Sequence, residues 1–96
     1  MEDAHTLYVS IDNSDDRLSQ REWACFVADT DTVLTAFGRF HGRWVSRSDD
    51  LFQNACWCLD VPKHALPELR ARLTSVRRSY RQDSVAFAPV PLTEFV

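Results

Sequence analysis

The side chains most able to do chemistry fall in three groups. Asp12, Asp15 and Asp16 form an acidic knot near the start of the chain. Cys56 and Cys58 stand two residues apart, and Lys63, Arg70, Arg77 and Arg81 recur along one segment. Clustered carboxylates suggest a divalent cation. A calcium loop counted from Asp12, however, needs Gly at its sixth position and Glu at its twelfth; Arg17 and Trp23 stand there instead. Asp12 as a single Mg²⁺ ligand is the alternative to a plain turn, in which acid near a helix start favours the helix dipole. Two cysteines of one strand separated by one residue point to one face. A structural zinc site needs four ligands, and Cys25, His5, His41 and His64 show no paired spacing. Small hydrophobes on a covered surface is the reading that Cys56 and Cys58 support. A nucleophile–base pair of Cys56 with His41 would need the two on neighbouring strands, and no sequence feature activates either. The basic stripe could meet phosphates, or its alkyl stems could cover core residues.

These groups are positioned by a regular alternation of elements. Leu7, Val9 and Ile11 alternate with Thr6, Tyr8 and Ser10, which predicts a strand over 6–12 with one buried face. Ser19 and Glu22 have the spacing of a capping box, with Leu18 and Trp23 as a hydrophobic staple. Trp23, Phe26, Val27, Thr30, Val33, Leu34 and Phe37 follow at helical spacing, and Gly38 is a natural stop. Asp29, Asp31 and Thr32 weaken that helix's intrinsic propensity. Phe40, Gly42 and Trp44 alternate with His41, Arg43 and Val45 in a second strand. Ala55, Trp57, Leu59 and Val61 alternate with Asn54, Cys56, Cys58 and Asp60 in a third, closed by Pro62. Leu66, Leu69, Leu73, Val76 and Tyr80 predict a helix over about 64–81. Val85 and Phe87 mark a fourth strand, stopped by Pro89 and Pro91, with an extended tail over about 89–96.

The order β-α-β-β-α-β has an economical solution: two helices on one face of a four-stranded antiparallel sheet, the α+β ferredoxin-like fold. One such domain accounts for all 96 residues. By parity the helix-free face then carries Tyr8, Ser10, His41, Arg43, Val45, Asn54, Cys56, Cys58, Ser84, Ala86 and Ala88. That surface is small, semi-apolar and poor in long charges, which suits a face covered by a second copy, another protein, a ligand or the chain's own tail through Phe95 and Val96. Tyr8, Ser10, Arg43, Asn54, Cys56 and Phe95 are the expected binding residues of a non-enzymatic regulatory module, a homodimer or one docked on a protein partner. No catalytic residue, cofactor or metal is assigned on this reading. A small-molecule pocket between that face and residues 46–53 is a further option.

Composition sets bounds on these readings. The net charge is −3, with five basic against eleven acidic side chains over residues 1–61. Residues 62–82 reverse the balance, with Lys63, Arg70, Arg72, Arg77, Arg78 and Arg81 against Glu68. The total does not suggest a general nucleic-acid binder. Three cysteines make no disulfide framework, "MEDAHTLY" lacks the basic and apolar regions of a signal peptide, and no apolar run reaches bilayer-spanning length. A reduced, cytoplasmic setting is expected.

"LYVSI" resembles the first-strand motif of an RNA-recognition domain, with Tyr8 as a stacking ring. "YVSIDNSDDR", "FQNACWCLDVPKHALPELRARL" and "QDSVAFAPV" resemble the first strand and acidic turn, the third strand and second helix, and the last strand of the small CRISPR-associated adaptation protein. That resemblance implies a homodimer that bridges a spacer integrase and contacts nucleic acid through basic surfaces. It also implies a metal-dependent nuclease or scaffold with Asp12 as the Mg²⁺ ligand, and a C-terminal segment, here "PLTEFV", laid across the dimer. Residues 29–50 depart from the family's pattern.

Overall fold

A computed structural model describes residues 3–13, 15–91, 94 and 96. The elements are β1 (Ala4–Asp12), α1 (Gln20–Phe37), β2 (Arg39–Val45), β3 (Asn54–Pro62), α2 (Leu66–Ser79, entered through a 3-10 turn Lys63–Ala65) and β4 (Ala86–Val90). The sheet order is β2-β3-β1-β4, and every pairing is antiparallel. The fold is therefore ferredoxin-like, with the two most apolar strands in the centre. Leu7, Val9, Ala55, Trp57, Leu59 and Val61 are fully buried on one face of that central pair. Trp23, Phe26, Thr30, Val33 and Leu34 of α1 and Leu69 and Leu73 of α2 close over them.

Local signals account for the start of α1 and for both helix ends. Ser19 Oγ accepts from the Glu22 amide at 3.1 Å, and Glu22 Oε1 accepts from the Ser19 amide at 3.2 Å, completing the predicted box. Gly38 ends α1 in an extended conformation, not a left-handed one. Its constraint is steric: a methyl there would run into the Asp60 carbonyl oxygen and lie 2.9 Å from Leu59 Cδ1. The α2 end is a Schellman motif, with the Gln82 amide on the Arg77 carbonyl at 2.9 Å and the Arg81 amide on the Arg78 carbonyl at 3.1 Å. Arg81 takes the left-handed position usual for glycine there, at φ 57°. Beside it, Tyr80 stacks on Phe26 with ring centroids 5.0 Å apart, and its hydroxyl donates to Asp29. Arg81 also meets Glu22 at 2.7 Å, so the end of α2 is fastened to α1 at three points.

Two expectations about strands are corrected. Pro89 does not stop β4: it lies within the strand, opposite Leu7. An edge strand tolerates proline where the missing N–H would point away from the sheet. The more consequential difference is in β2. Phe40 pairs with Leu59, but Gly42 pairs with Cys58, so two steps on β2 match one on β3. This β-bulge inverts the parity of everything after it. Arg43 and Val45, expected on the helix-free face, pair with Trp57 and Ala55 and lie on the helix side. Trp44, expected among the helices, pairs with Cys56 and lies on the open face.

The acidic knot is organised by the residue beside it. Asn13 is buried; its Nδ2 donates to the Leu18 carbonyl at 3.0 Å and to Gln53 Oε1 at 3.2 Å, and its Oδ1 accepts from the Leu18 amide at 3.0 Å. Gln53 in turn exchanges bonds with Gln20, at 2.7 and 3.1 Å. One side chain thereby ties the end of β1, the start of α1 and the loop before β3. Replacing it by alanine strands several buried polar groups, at a cost of about 2 kcal/mol or more. Asn13→Ala should therefore destabilise strongly in urea unfolding, while Asp15→Ala stays within about 0.5 kcal/mol of the parent. Equal losses would contradict this assignment. A second check uses pH. Asp29 and partial burial push the Tyr80 hydroxyl from 10.0 up to about 12. The folded state holds that proton more tightly than the unfolded one, so the contribution is intact below pH 10 and is lost as pH rises towards 12. Tyr80→Phe should unfold with a shallower alkaline loss of stability than the parent.

Candidate functional site

The helix-free face is read most simply as rows across the four strands. One row runs Trp44, Cys56, Ser10, Ala86; the next runs Gly42, Cys58, Tyr8, Ala88. A third runs Arg39, Asp60, Thr6, Val90, and Asn54 faces Asp12 at the opposite end. Tyr8, Ser10, Asn54 and Cys56 thus share one surface, as the alternation predicted. Arg43 leaves it through the bulge, and Trp44, absent from the predicted set, takes its place. Phe95 lies outside the described residues.

Two aromatics stand proud of this surface. Trp44 is 56% exposed and Tyr8 45%, while Ser10, Cys56 and Cys58 between them are half-buried. Bonding to Cys58, and then the charge that thiol can carry, raises the Tyr8 hydroxyl above its ordinary value. Gly42 leaves a notch beside Cys58: a methyl built there meets nothing within 4 Å. Most of the charged groups gather at the end away from Asp12. His41 Nε2 lies 2.9 Å from Asp60 Oδ1, and Thr6 Oγ1 donates to the same oxygen at 3.1 Å. The His41 bond, reinforced by Thr6, holds Asp60 below the usual carboxylate range. His41 is accordingly a partner of Asp60, and the proposed adjacency with Cys56 does not occur, because Cys56 lies opposite Trp44.

The other chemical groups have structural employment. Arg17 bridges Asp15 at 3.0 Å and Asp83 at 3.3 Å beside a hollow of about 130 Å³ that Asp12 also lines. Among the described residues, no three His, Cys, Asp or Glu side chains form a group able to hold a metal ion. Along α2, Arg70 lies 4.9 Å over the Phe87 ring and Arg77 donates to the Gln82 carbonyl at 3.1 Å. With Arg81 on Glu22, three of the four stripe residues hold the chain to itself.

Sequence reasoning missed Asp31, which appeared only as a poor helix former. Its Oδ1 accepts from the Trp57 indole N–H and from Arg43 Nη1, both at 2.9 Å. A buried tryptophan on a central strand needs such a partner, and that need was the signal available in the sequence.

No family model matches this chain, and no curated protein matches it. Among solved structures it is similar to a dimeric ferredoxin-like protein from an uncultured marine organism, at 14% identity and a TM-score of 0.51. The match covers 99% of this chain and 93% of that one. It bears out the ferredoxin-like fold. Among the described residues, no helix is long and apolar enough to cross a membrane.

If Asp31 anchors β2 through Arg43 and β3 through Trp57, Asp31→Ala leaves a buried indole N–H without a partner. That substitution should cost about 2 kcal/mol in chemical denaturation. A change under about 0.5 kcal/mol would show that water replaces the carboxylate.

Proposed function

We propose that this protein is a small binding module that pairs with a second copy of itself through the helix-free sheet face. The observation that carries the reading is the pair of exposed aromatics, Tyr8 and Trp44, set among Gly42, Ser10, Cys56, Cys58, Ala86 and Ala88. Charged side chains sit at the ends of that patch, an arrangement shared with interface cores ringed by polar groups. Four strands about 4.8 Å apart, the central two about 30 Å long, give a face of roughly 500 Å² in projection. Side-chain relief brings the accessible area towards the roughly 800 Å² per partner of a standard interface. A two-fold axis would bury the same residues from both copies. The dimeric state of the similar ferredoxin-like protein supports the same reading. The function is then one of binding and regulation, with Asn54 at the rim.

Light scattering behind a sizing column tests this. The parent should run at about twice 11.1 kDa. Trp44→Glu should run as a monomer with unchanged circular dichroism. Tyr8→Ala, removing a central aromatic, should weaken the dimer by about 2 kcal/mol, roughly 30-fold in its dissociation constant. A parent that stays at 11.1 kDa at high micromolar concentration overturns the proposal.

A further inference from the structure

The other side of the sheet carries a second surface that the self-pairing does not use. A hollow of about 510 Å³ lies between the first half of α1 and the end of β2. That volume falls within the roughly 300–1,000 Å³ of small-molecule sites. It dwarfs the hollow of about 50 Å³ between α2 and β4. It shares loop 46–53 with the pocket expected from the sequence, through Ser46, Ser48 and Gln53, but opens on the helix side and not on the open face. The bulge explains the shift: by inverting parity after Phe40, it turns Val45 and Arg43 towards α1.

The walls are apolar and the ends polar. Trp23, Ala24 and Val27 face Val45 across the hollow. At one end, Gln20 and Gln53 are bonded to each other and present a neutral amide pair. Arg43 supplies the charge. Asp31 grips it through Nη1 at 2.9 Å, and the arginine side chain remains 52% exposed. A guanidinium offers five N–H groups, so this grip aims the fork without exhausting it. Planar carboxylates match that fork with two parallel bonds. A phosphate dianion fits worse, because it brings two negative charges beside Asp31 where a carboxylate brings one.

We infer that this hollow binds a small monocarboxylic acid with an apolar ring or short-chain body, the body between Val27 and Val45 and the carboxylate on Arg43. The site is independent of the self-pairing surface, which lies across the sheet.

Nitrogen-15 NMR titrations with 2-naphthoic acid and with its neutral counterpart, 2-naphthalenemethanol, test the inference on the full chain. The acid should give saturable shifts at Ala24, Val27 and Val45 at millimolar concentration. The alcohol should bind at least about ten-fold more weakly, having no charge for Arg43. Arg43→Gln should remove the preference for the acid. Ala24→Phe, an exposed position whose ring would fill the hollow, should abolish binding of both without disturbing Arg43. Absence of saturable shifts, shifts centred on Tyr8 and Cys56, equal affinity for acid and alcohol, or indifference to Ala24→Phe would each overturn it. The mass in solution reads the self-pairing separately, so failure of one claim leaves the other intact.

Discussion

Trp57 is the hinge of this structure in the chemical sense: its ring is fully buried at the middle of the sheet, and its indole N–H must find an acceptor there. The acceptor is Asp31, a residue that costs α1 helix propensity and repays it by bonding the sheet. Because the same oxygen also receives Arg43, one carboxylate joins α1, β3 and β2. That junction requires Arg43 to be on the helix side, and the bulge at Phe40–Gly42 puts it there.

The consequence reaches both surfaces of the sheet. On the helix side, the bulge supplies a charged end to an apolar hollow. On the reverse, it withdraws a long cation and substitutes an indole. The open face thereby becomes more apolar than an unbroken alternation would make it. Its remaining charges lie at its ends, Asp60 with His41 and Arg39 at one and Asp12 at the other. A single inserted residue thus separates two kinds of recognition chemistry that a regular strand would have mixed.

Most of the architecture was legible because it rests on local rules. The capping box of Ser19 and Glu22 and the alternation through Trp57 each follow from short-range geometry, and so does the face shared by Cys56 and Cys58. What stayed hidden depends on partners distant in the chain. The mark of the bulge in "RFHGRWV" is Gly42, an isolated glycine inside a strand pattern, but it does not say at which step the alternation breaks. Asn13 was overshadowed by the aspartates around it, though its bonds to Leu18 and Gln53 order the loop that they merely decorate. The basic stripe was legible as a stripe, but whether its arginines face phosphates or their own chain depends on Phe87, Gln82 and Glu22.

The central claim is that a second copy hides the face bearing Trp44, and intrinsic fluorescence reads it directly. Trp23 and Trp57 are buried within a single chain, so iodide quenching reports almost wholly on Trp44. The account predicts that quenching is weak in concentrated solution and grows on dilution as copies part. An indole that iodide reaches freely even in the most concentrated sample would contradict it.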